Sequence, residues 1–285
     1  MTNEFLFSHE SKLIFKNQFV EKLQELIKPS TEYLYVHSGI DFGVPNSKVA
    51  RSYLLSELYD SIRLATRANL IFPSYTFSFC NNEVFDVVKT KSRMGVLSEF
   101  VRAQDFSLNS SDPLMSNSFV GTKISVFDKQ SKASLGDDST FKILSLLPNV
   151  EFLFFGVKLS DCFTYMHFLE KEADVSYRYE RVFSGNIVDP QSGLIKASEH
   201  SLYVRYSNAK PSNGSEKFEK RLQNESVAHT LTLGNSSLTI VDKDLSSIIF
   251  NEMLAQNPKE FINADFKENE KTKHFTVPQG GMISL

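Results

Sequence analysis

The order of its apolar segments is the feature that most constrains this chain. Three runs have the composition of buried strands: EYLYVHSG (32–39), NLIFPSYTF (69–77) and NVEFLFFGV (149–157). Between the first two lies SKVARSYLLSELYDSIRLATRA (47–68), whose apolar residues recur at helical spacing after a serine that could cap the helix. A strand, a helix and a second strand in succession normally form a right-handed βαβ unit, so the sequence predicts a parallel sheet.

The remaining segments complete an α/β pattern and then change in texture. Helices are predicted over 11–28, 94–104, 139–147 (with Ser139 as cap), 161–172, 215–225 and 243–256, whereas Gly/Asn/Ser turns after about residue 175 indicate β-hairpins. The predicted fold class is therefore α/β, with a mostly parallel central sheet flanked by helices and a β-hairpin-rich C-terminal part. No linker divides the chain, so residues 1–285 are predicted to form one domain. Its core spans about 30–185 and its β-rich portion about 176–256.

Composition excludes some classes of function. The chain has 285 residues, 41% of them apolar, and a net charge of −3, which does not fit the clustered basic face of a nucleic-acid-binding protein. The N-terminus carries acids and lacks the apolar stretch of a signal peptide, and no apolar run approaches the length needed to span a bilayer. Cys80 and Cys162 lack metal or redox spacing and are expected to be reduced thiols. We therefore expect a soluble cytoplasmic protein.

Ligands of open α/β sheets bind at the carboxyl ends of parallel strands, which directs attention to the residues there. Small hydroxyl residues at such turns can bind phosphate, although they are also ordinary turn residues. A hydroxyl-rich loop over 109–121 has the same two interpretations. The candidates at the strand ends and in this loop are His37, Ser38, Gly39, Ser74, Tyr75, Thr76, Ser116 and Ser118.

The segment TYMHFLEKE (164–172) places three polar side chains on one helix face, namely Thr164, His167 and Glu170. A metal site would need further ligands, and no second histidine motif follows. A structural histidine held by Glu170 is one alternative. A general base is the other, because neutral imidazole can take a proton from an amine near pH 7 and a carboxylate one turn away can fix its tautomer. A serine-hydrolase elbow, G-x-S-x-G, is missing from the sequence.

Six segments, in chain order, resemble the aminoglycoside 3-N-acetyltransferase family. They are LYVHSGIDFG (34–43), FPSYTFSF (72–79), FDVVKTKSRMGVLSEFVR (85–102), SDPLMSNSFVG (111–121), GDDSTFKILSLLPNVEFLFFGV (136–157) and TYMHFLE (164–170). The last of these is similar to the family's T-x-x-H-x-x-E motif. The resemblance covers residues 30–185 well and the C-terminal part loosely.

This resemblance implies a fold distinct from the GNAT acetyltransferases. It also implies acyl transfer from acetyl-CoA, or another acyl-CoA, to a primary amine of an amino sugar, without a metal. By the same resemblance His167 would be the general base, oriented by Glu170 within the motif that Thr164 begins. The strand-end and loop candidates named above would line the CoA site, and Glu99 and Arg102 would face the acceptor. The chain departs from the family at Asp112-Pro113, where the family has His-Pro, and at Ser139-Thr140, where it has Ser-Pro, which leaves the contacts of Asp112 open.

The identity of the acceptor rests on YRYERVFSG (177–185), in which Arg178 and Arg181 alternate with tyrosines. Such a strand could bind an anionic nucleotide-sugar, with arginine contacting the phosphate. The same pattern is also found in an ordinary amphipathic strand. Because this region resembles a branch of the family associated with surface polysaccharides, we expect a nucleotide-linked amino sugar as acceptor. An aminoglycoside antibiotic is the alternative, and a non-catalytic CoA- or sugar-binding protein is a third. We expect direct attack in a ternary complex, with Cys162 as the rival nucleophile, and a homodimer as the further partner.

Overall fold

The computed structural model describes residues 4–129, 131–189 and 192–274 and contains one large sheet and two smaller ones. The strands are β1 (Phe7–His9), β2 (Lys12–Ile14), β3 (Tyr33–Ser38), β4 (Val44–Pro45), β5 (Asn69–Pro73), β6 (Leu108–Asn109), β7 (Asn117–Val120), β8 (Val150–Phe155), β9 (Arg178–Val188), β10 (Ile195–Arg205), β11 (Ala228–Leu233) and β12 (Ser236–Asp242). The helices are α1 (Lys16–Leu26), α2 (Arg51–Ala65), α3 (Val96–Arg102), α4 (Thr140–Leu146), α5 (Leu159–Cys162), α6 (Tyr165–Glu172), α7 (Gly214–Asn224) and α8 (Lys243–Gln256).

The central sheet has the strand order β11-β12-β8-β3-β5-β7-β6. Strand β3 is parallel to both β5 and β8, while β7 and β12 are antiparallel to their neighbours, so five of the seven strands run in one direction. This confirms the predicted α/β fold with a mostly parallel sheet. The β11–β12 hairpin extends the sheet beside β8, which supports the prediction of one domain, and that prediction remains to be tested.

Both faces of the central sheet are covered, and β3 shows why its sequence is apolar throughout. Tyr33 and Tyr35 belong to one hydrophobic cluster, whereas Leu34 and Val36 belong to the other, because successive side chains of a strand point to opposite faces. A strand buried on both sides reads as a continuous apolar run rather than an alternating one.

Two details at the N-terminal side differ from the sequence prediction. The helix predicted from residue 11 begins at Lys16, because Glu10 and Ser11 adopt positive φ and turn the chain into the β1–β2 hairpin. The serine cap predicted for the second helix is also wrong: α2 begins at Arg51, after Ala50, and has no side-chain cap. The Ser139 cap of α4 is confirmed, since its hydroxyl accepts from the Lys142 N–H.

Among the residues described, no helix has both the length and the apolar character needed to cross a bilayer.

Two glycines allow the ends of β3 and β8 to approach closely. The Gly39 N–H donates to the Phe155 carbonyl over 2.8 Å, and a Cβ at Gly39 would lie 2.7 Å from the Gly156 carbonyl oxygen. Gly156 itself has φ +72°, and a Cβ there would lie 2.8 Å from the Phe42 ring. The carboxyl ends of both strands therefore depend on the absence of side chains at these positions.

The Gly156→Ala substitution tests this dependence. It should lower the free energy of unfolding by about 2–4 kcal/mol, because a left-handed backbone and a steric clash with Phe42 add together. Gly193→Ala is the matched control: its φ is +70°, but nothing lies within 4 Å of the added Cβ, so the cost should be about 1 kcal/mol. Urea denaturation measures both. Equal losses of unfolding free energy in the two variants would show that the contact with Phe42 adds nothing to the cost at Gly156.

Candidate active site

A break between two short helices places the predicted motif at the carboxyl end of β8. The sequence predicted one helix over 161–172, but Phe163 leaves the helical conformation between α5 and α6. Its ring packs against Phe152 at 4.8 Å and is stacked on Phe218 at 6.1 Å. Burial of this aromatic ring fixes the start of α6. Thr164 follows it, with its hydroxyl 2.9 Å from that of Tyr75 beyond β5.

His167 belongs to a buried polar cluster on α6 and β9. Its Nδ1 lies 2.8 Å from Glu170 Oε2, and the Tyr177 hydroxyl donates to Glu170 Oε1 over 2.8 Å. Arg178 contacts both members of the pair: its Nε is 2.8 Å from Glu170 Oε2 and its Nη2 is 2.8 Å from His167 Nδ1. The Glu170 and Arg178 side chains are only 4% and 1% exposed, so solvent screens this ion pair weakly.

Burial and these contacts shift the pKa values of both His167 and Glu170. Burial and the Arg178 charge lower the pKa of His167 to about 4, against the opposing influence of Glu170. Burial alone would raise the pKa of Glu170, but Arg178, His167 and Tyr177 together lower it to about 2. At neutral pH the cluster therefore holds a neutral imidazole beside a charged carboxylate, which is the form a general base requires.

The two contacts of His167 Nδ1 select between tautomers. A protonated Nδ1 donates to Glu170, whereas an unprotonated Nδ1 accepts from Arg178, and one neutral imidazole can do only one of these. General-base chemistry at Nε2 requires the first tautomer. In that form Nε2 keeps its lone pair, and it has no hydrogen-bond partner in the described parts of the chain.

His167 opens on a pocket of about 350 Å³ beyond the carboxyl end of β8, where its side chain is 19% exposed. The pocket agrees with the rule that ligands of open α/β sheets bind at this edge. Of the predicted site residues, Thr164, His167, Glu170 and Arg178 line it. The other lining residues are Ser160, Asp161, Cys162, Phe163, Met166, Arg205, Pro211, Ser212, Ser215 and Phe261.

The predicted CoA-binding residues lie at the neighbouring strand ends, and most are buried. Ser38 and Gly39 are partly exposed beyond β3, so they fit a ligand contact. His37 is buried and its ring stacks on Phe154 at 5.0 Å. The buried hydroxyls mainly hold the fold: Ser116 donates to the Ser74 carbonyl, Thr76 to the Pro113 carbonyl, Ser118 to Asn109 Oδ1, and Tyr75 is bonded to Thr164 and Tyr35. Their contact with CoA remains a prediction.

The predicted acceptor residues on α3 and the adjoining loop do not line this pocket. Glu99 and Arg102 form an ion pair with each other at 2.7 Å, and Arg102 also donates to the Val88 carbonyl. Asp112 accepts from the Leu114 and Met115 N–H groups and lies 3.3 Å from His200 Nε2. The Asp112 carboxylate therefore organises its own turn, and its role toward the acceptor remains a prediction.

Sequence reasoning missed two residues of the site. Tyr177 precedes the arginine strand, and its hydroxyl holds the Glu170 carboxylate. Arg205 was not singled out, because its place in the pocket depends on the β9–β10 register, in which it lies opposite Arg178. That register could not be read from the sequence. Within the described residues no group of three His, Cys, Asp or Glu side chains is arranged to hold a metal ion.

The fold is shared with solved acetyltransferases. The apoenzyme of aminoglycoside acetyltransferase AAC(3)-IVa superposes with a TM-score of 0.70 at 16% identity, covering 93% of this chain and 95% of its own. AAC-VIa bound to sisomicin gives a TM-score of 0.69 at 16% identity, over 85% and 97% of the two chains. AAC-IIIb in a binary complex with CoASH gives 0.67 at 14% identity, over 85% and 96%. At these identities the likeness establishes the fold. No curated protein matches the chain in sequence.

A sequence-family match, rather than the fold alone, defines the class of this protein as an acyl-CoA-dependent N-acyltransferase. The model of the aminoglycoside 3-N-acetyltransferase family matches residues 64–254, which is most of the chain. The chain belongs to this family, and acetyl-CoA is its co-substrate.

Arg178 should control the protonation of His167. In Arg178→Met the pKa of His167 should rise by about 1–2 units, because a cation that disfavours imidazolium is removed while the Glu170 carboxylate remains. As the pH is lowered, the variant should therefore lose activity at a higher pH than the wild type, because its imidazole is protonated earlier. NMR titration of the His167 ring, assigned with a His167→Ala variant, measures the shift and reports the tautomer.

Two controls accompany this titration. Arg178→Lys keeps the positive charge and should hold the pKa of His167 low. It also keeps a cation beside the buried Glu170 carboxylate, so it should fold even if Arg178→Met does not. Arg181→Met removes an arginine from the same strand that does not line the pocket and should leave the titration unchanged. An unchanged pKa in Arg178→Met would mean that burial alone lowers it.

Proposed function

We propose that this protein transfers the acetyl group of acetyl-CoA to a primary amine of an amino sugar by direct attack, with His167 as general base. The observation that carries this proposal is the His167–Glu170–Arg178 cluster, in which a neutral imidazole held by a buried carboxylate faces an open pocket. Family membership supplies the acyl donor and the class of nucleophile.

The reaction can be written with the residues present. The amine nitrogen attacks the thioester carbonyl carbon, and its proton passes to His167 Nε2 while Nδ1–H donates to Glu170. The Glu170 carboxylate stabilises the imidazolium that forms. When the C–S bond breaks, the imidazolium returns its proton to the leaving thiolate, so the products are an amide and CoA with a thiol. General-base assistance of this kind typically contributes 10²–10⁴-fold.

Cys162 lines the same pocket but is poorly suited to be a nucleophile. Burial raises the pKa of its thiol, and Asp161 and Glu219 raise it further. Its sulfur also lies 3.2 Å from the Lys158 carbonyl oxygen, within reach of a hydrogen bond. A thiol held in its neutral form attacks thioesters slowly, because the thiolate is the reactive species. These features support direct transfer without a covalent intermediate.

Two classes of amino sugar are candidates, and a different observation favours each. Aminoglycosides are favoured by the relatives, since the family is named for them and AAC-VIa binds sisomicin. A nucleotide-linked amino sugar is favoured by the charges of the pocket. Among the described residues that line it, Asp161 is the one carboxylate besides Glu170, and two arginines accompany them. A site for a polycation would be expected to gather more carboxylates than this.

CoA release from acetyl-CoA tests the proposal, with gentamicin and sisomicin as one acceptor set and UDP- or dTDP-linked amino sugars as the other. The His167→Ala variant should lose about 10²–10⁴-fold in kcat with the active set, because proton transfer from the amine is lost. Calorimetric titration with CoA should show unchanged affinity.

Two further variants make the result specific. Cys162→Ala should keep full activity, whereas abolished activity with intact CoA binding would replace direct transfer by a covalent route. His229→Ala, at an exposed histidine of β11, is the matched control for His167→Ala and should behave as wild type. Normal turnover in His167→Ala would remove His167 from the mechanism.

A further inference from the structure

Arg205, the last residue of β10, is placed at an electrostatic cost that its own contacts do not offset. In the β9–β10 register it lies directly opposite Arg178, and like charges in such cross-strand pairs are destabilising. Burial and the Arg178 charge together lower the pKa of Arg205 to about 10. Arg178 is compensated by Glu170, which already has Arg178, Tyr177 and His167 around it.

The Arg205 guanidinium makes no hydrogen bond or ion pair with the described residues, although it is largely withdrawn from solvent and lines the pocket of His167. A guanidinium has five N–H donors in a planar fork that matches phosphate or carboxylate. A cation that is costly to place, has no partner in the described part of the chain and faces a substrate pocket is well suited to an anionic group of a ligand.

We propose that Arg205 binds an anionic group, a phosphate or carboxylate, that the amino-sugar acceptor carries near its reacting amine. This inference rests on the proposed function and narrows its acceptor. Ser215 lines the same pocket, so its hydroxyl could add a neutral donor for such a group.

The separation between the anionic group and the reacting atom is shorter in an amino sugar than in CoA, which favours the acceptor as the source of the anion. Arg205 lines the same pocket as His167 and lies opposite Arg178, whose Nη2 is 2.8 Å from His167 Nδ1, so the guanidinium is on the side of the base that must contact the amine. The phosphates of CoA are separated from its thioester by the whole pantetheine arm. A substituent on the sugar ring, in contrast, stays within one ring of its amine.

The test compares Arg205→Gln with wild type on acceptors that share an amine and differ in charge. Glucosamine is the neutral-ring acceptor, glucosamine 1-phosphate and UDP-glucosamine carry phosphate, 2-amino-2-deoxyglucuronic acid carries carboxylate, and sisomicin is polycationic. The matching 4-amino sugars extend the panel. For the anionic acceptor that the wild type prefers, kcat/KM should fall about 10- to 100-fold in the variant, while glucosamine changes less than about twofold.

A charge-reversal variant and a measurement of Tm separate a binding role of Arg205 from a structural one. Arg205→Glu should lower kcat/KM for anionic acceptors further and raise it for sisomicin. Arg205→Gln should not lower Tm, because it removes the repulsion with Arg178, whereas a structural role of Arg205 would lower Tm. Tm is compared for this variant only, since the carboxylate of Arg205→Glu would be repelled by Glu170. Arg181→Gln, on the partner strand and outside the pocket, should leave every acceptor unchanged.

Other outcomes overturn the inference in distinguishable ways. Equal losses of kcat/KM with neutral and anionic acceptors would indicate that Arg205 contacts the thioester carbonyl oxygen instead of an anionic group of the acceptor. A raised KM for acetyl-CoA that disappears with 3′-dephospho-CoA would assign the anion to CoA. Turnover of sisomicin alone, unaffected by Arg205→Gln, would refute the inference and leave the proposed function intact.

A wild type without turnover on any acceptor would count against the proposed function instead. Calorimetric binding of UDP-glucosamine to wild type and Arg205→Gln would then decide the inference separately. Equal affinities, or no binding by the wild type, would refute it.

Discussion

The buried carboxylate of Glu170 is the constraint on which the rest of the site depends. A charge this deeply buried is tolerated only when partners satisfy it, and Glu170 has Arg178, Tyr177 and His167 within hydrogen-bond distance. Those partners come from α6 and from the start of the β9–β10 hairpin. The requirement of one side chain therefore ties the C-terminal hairpin to the helix that follows β8. Arg178, which this requirement brings into the site, acts with burial to keep the imidazole neutral.

A second level of support comes from aromatic packing and a chain of hydroxyls. Phe163 fixes the start of α6 against β8 and α7. From Thr164 a line of hydrogen bonds runs through the hydroxyls of Tyr75 and Tyr35 to Asn117 in β7. The reacting side of the pocket is thus anchored in three strands of the central sheet. Catalytic groups held by rigid elements in this way keep their geometry between turnovers.

Much of the fold could be predicted because its signals are local. Continuous apolar runs marked β3, β5 and β8, and the i,i+3 spacing of His167 and Glu170 placed both on one face of α6. The N-terminal hairpin escaped prediction because its tight turn uses positive φ at Glu10 and Ser11, which their residue types do not announce. The sequence did not predict the contact of Arg178 with Glu170 or the position of Arg205 in the pocket. Both depend on strand register, a long-range property that one sequence does not specify.

The position of β12 also bears on how the chain folds during synthesis. Strand β8 pairs with β3 on one side, and its other side is covered by Ser236–Asp242, about eighty residues later in the chain. A nascent chain that has emerged only as far as α6 carries the catalytic motif while leaving an apolar strand edge open to other chains. Shielding of that edge by a chaperone, or rapid translation of the last third, would then govern how much active protein a cell recovers.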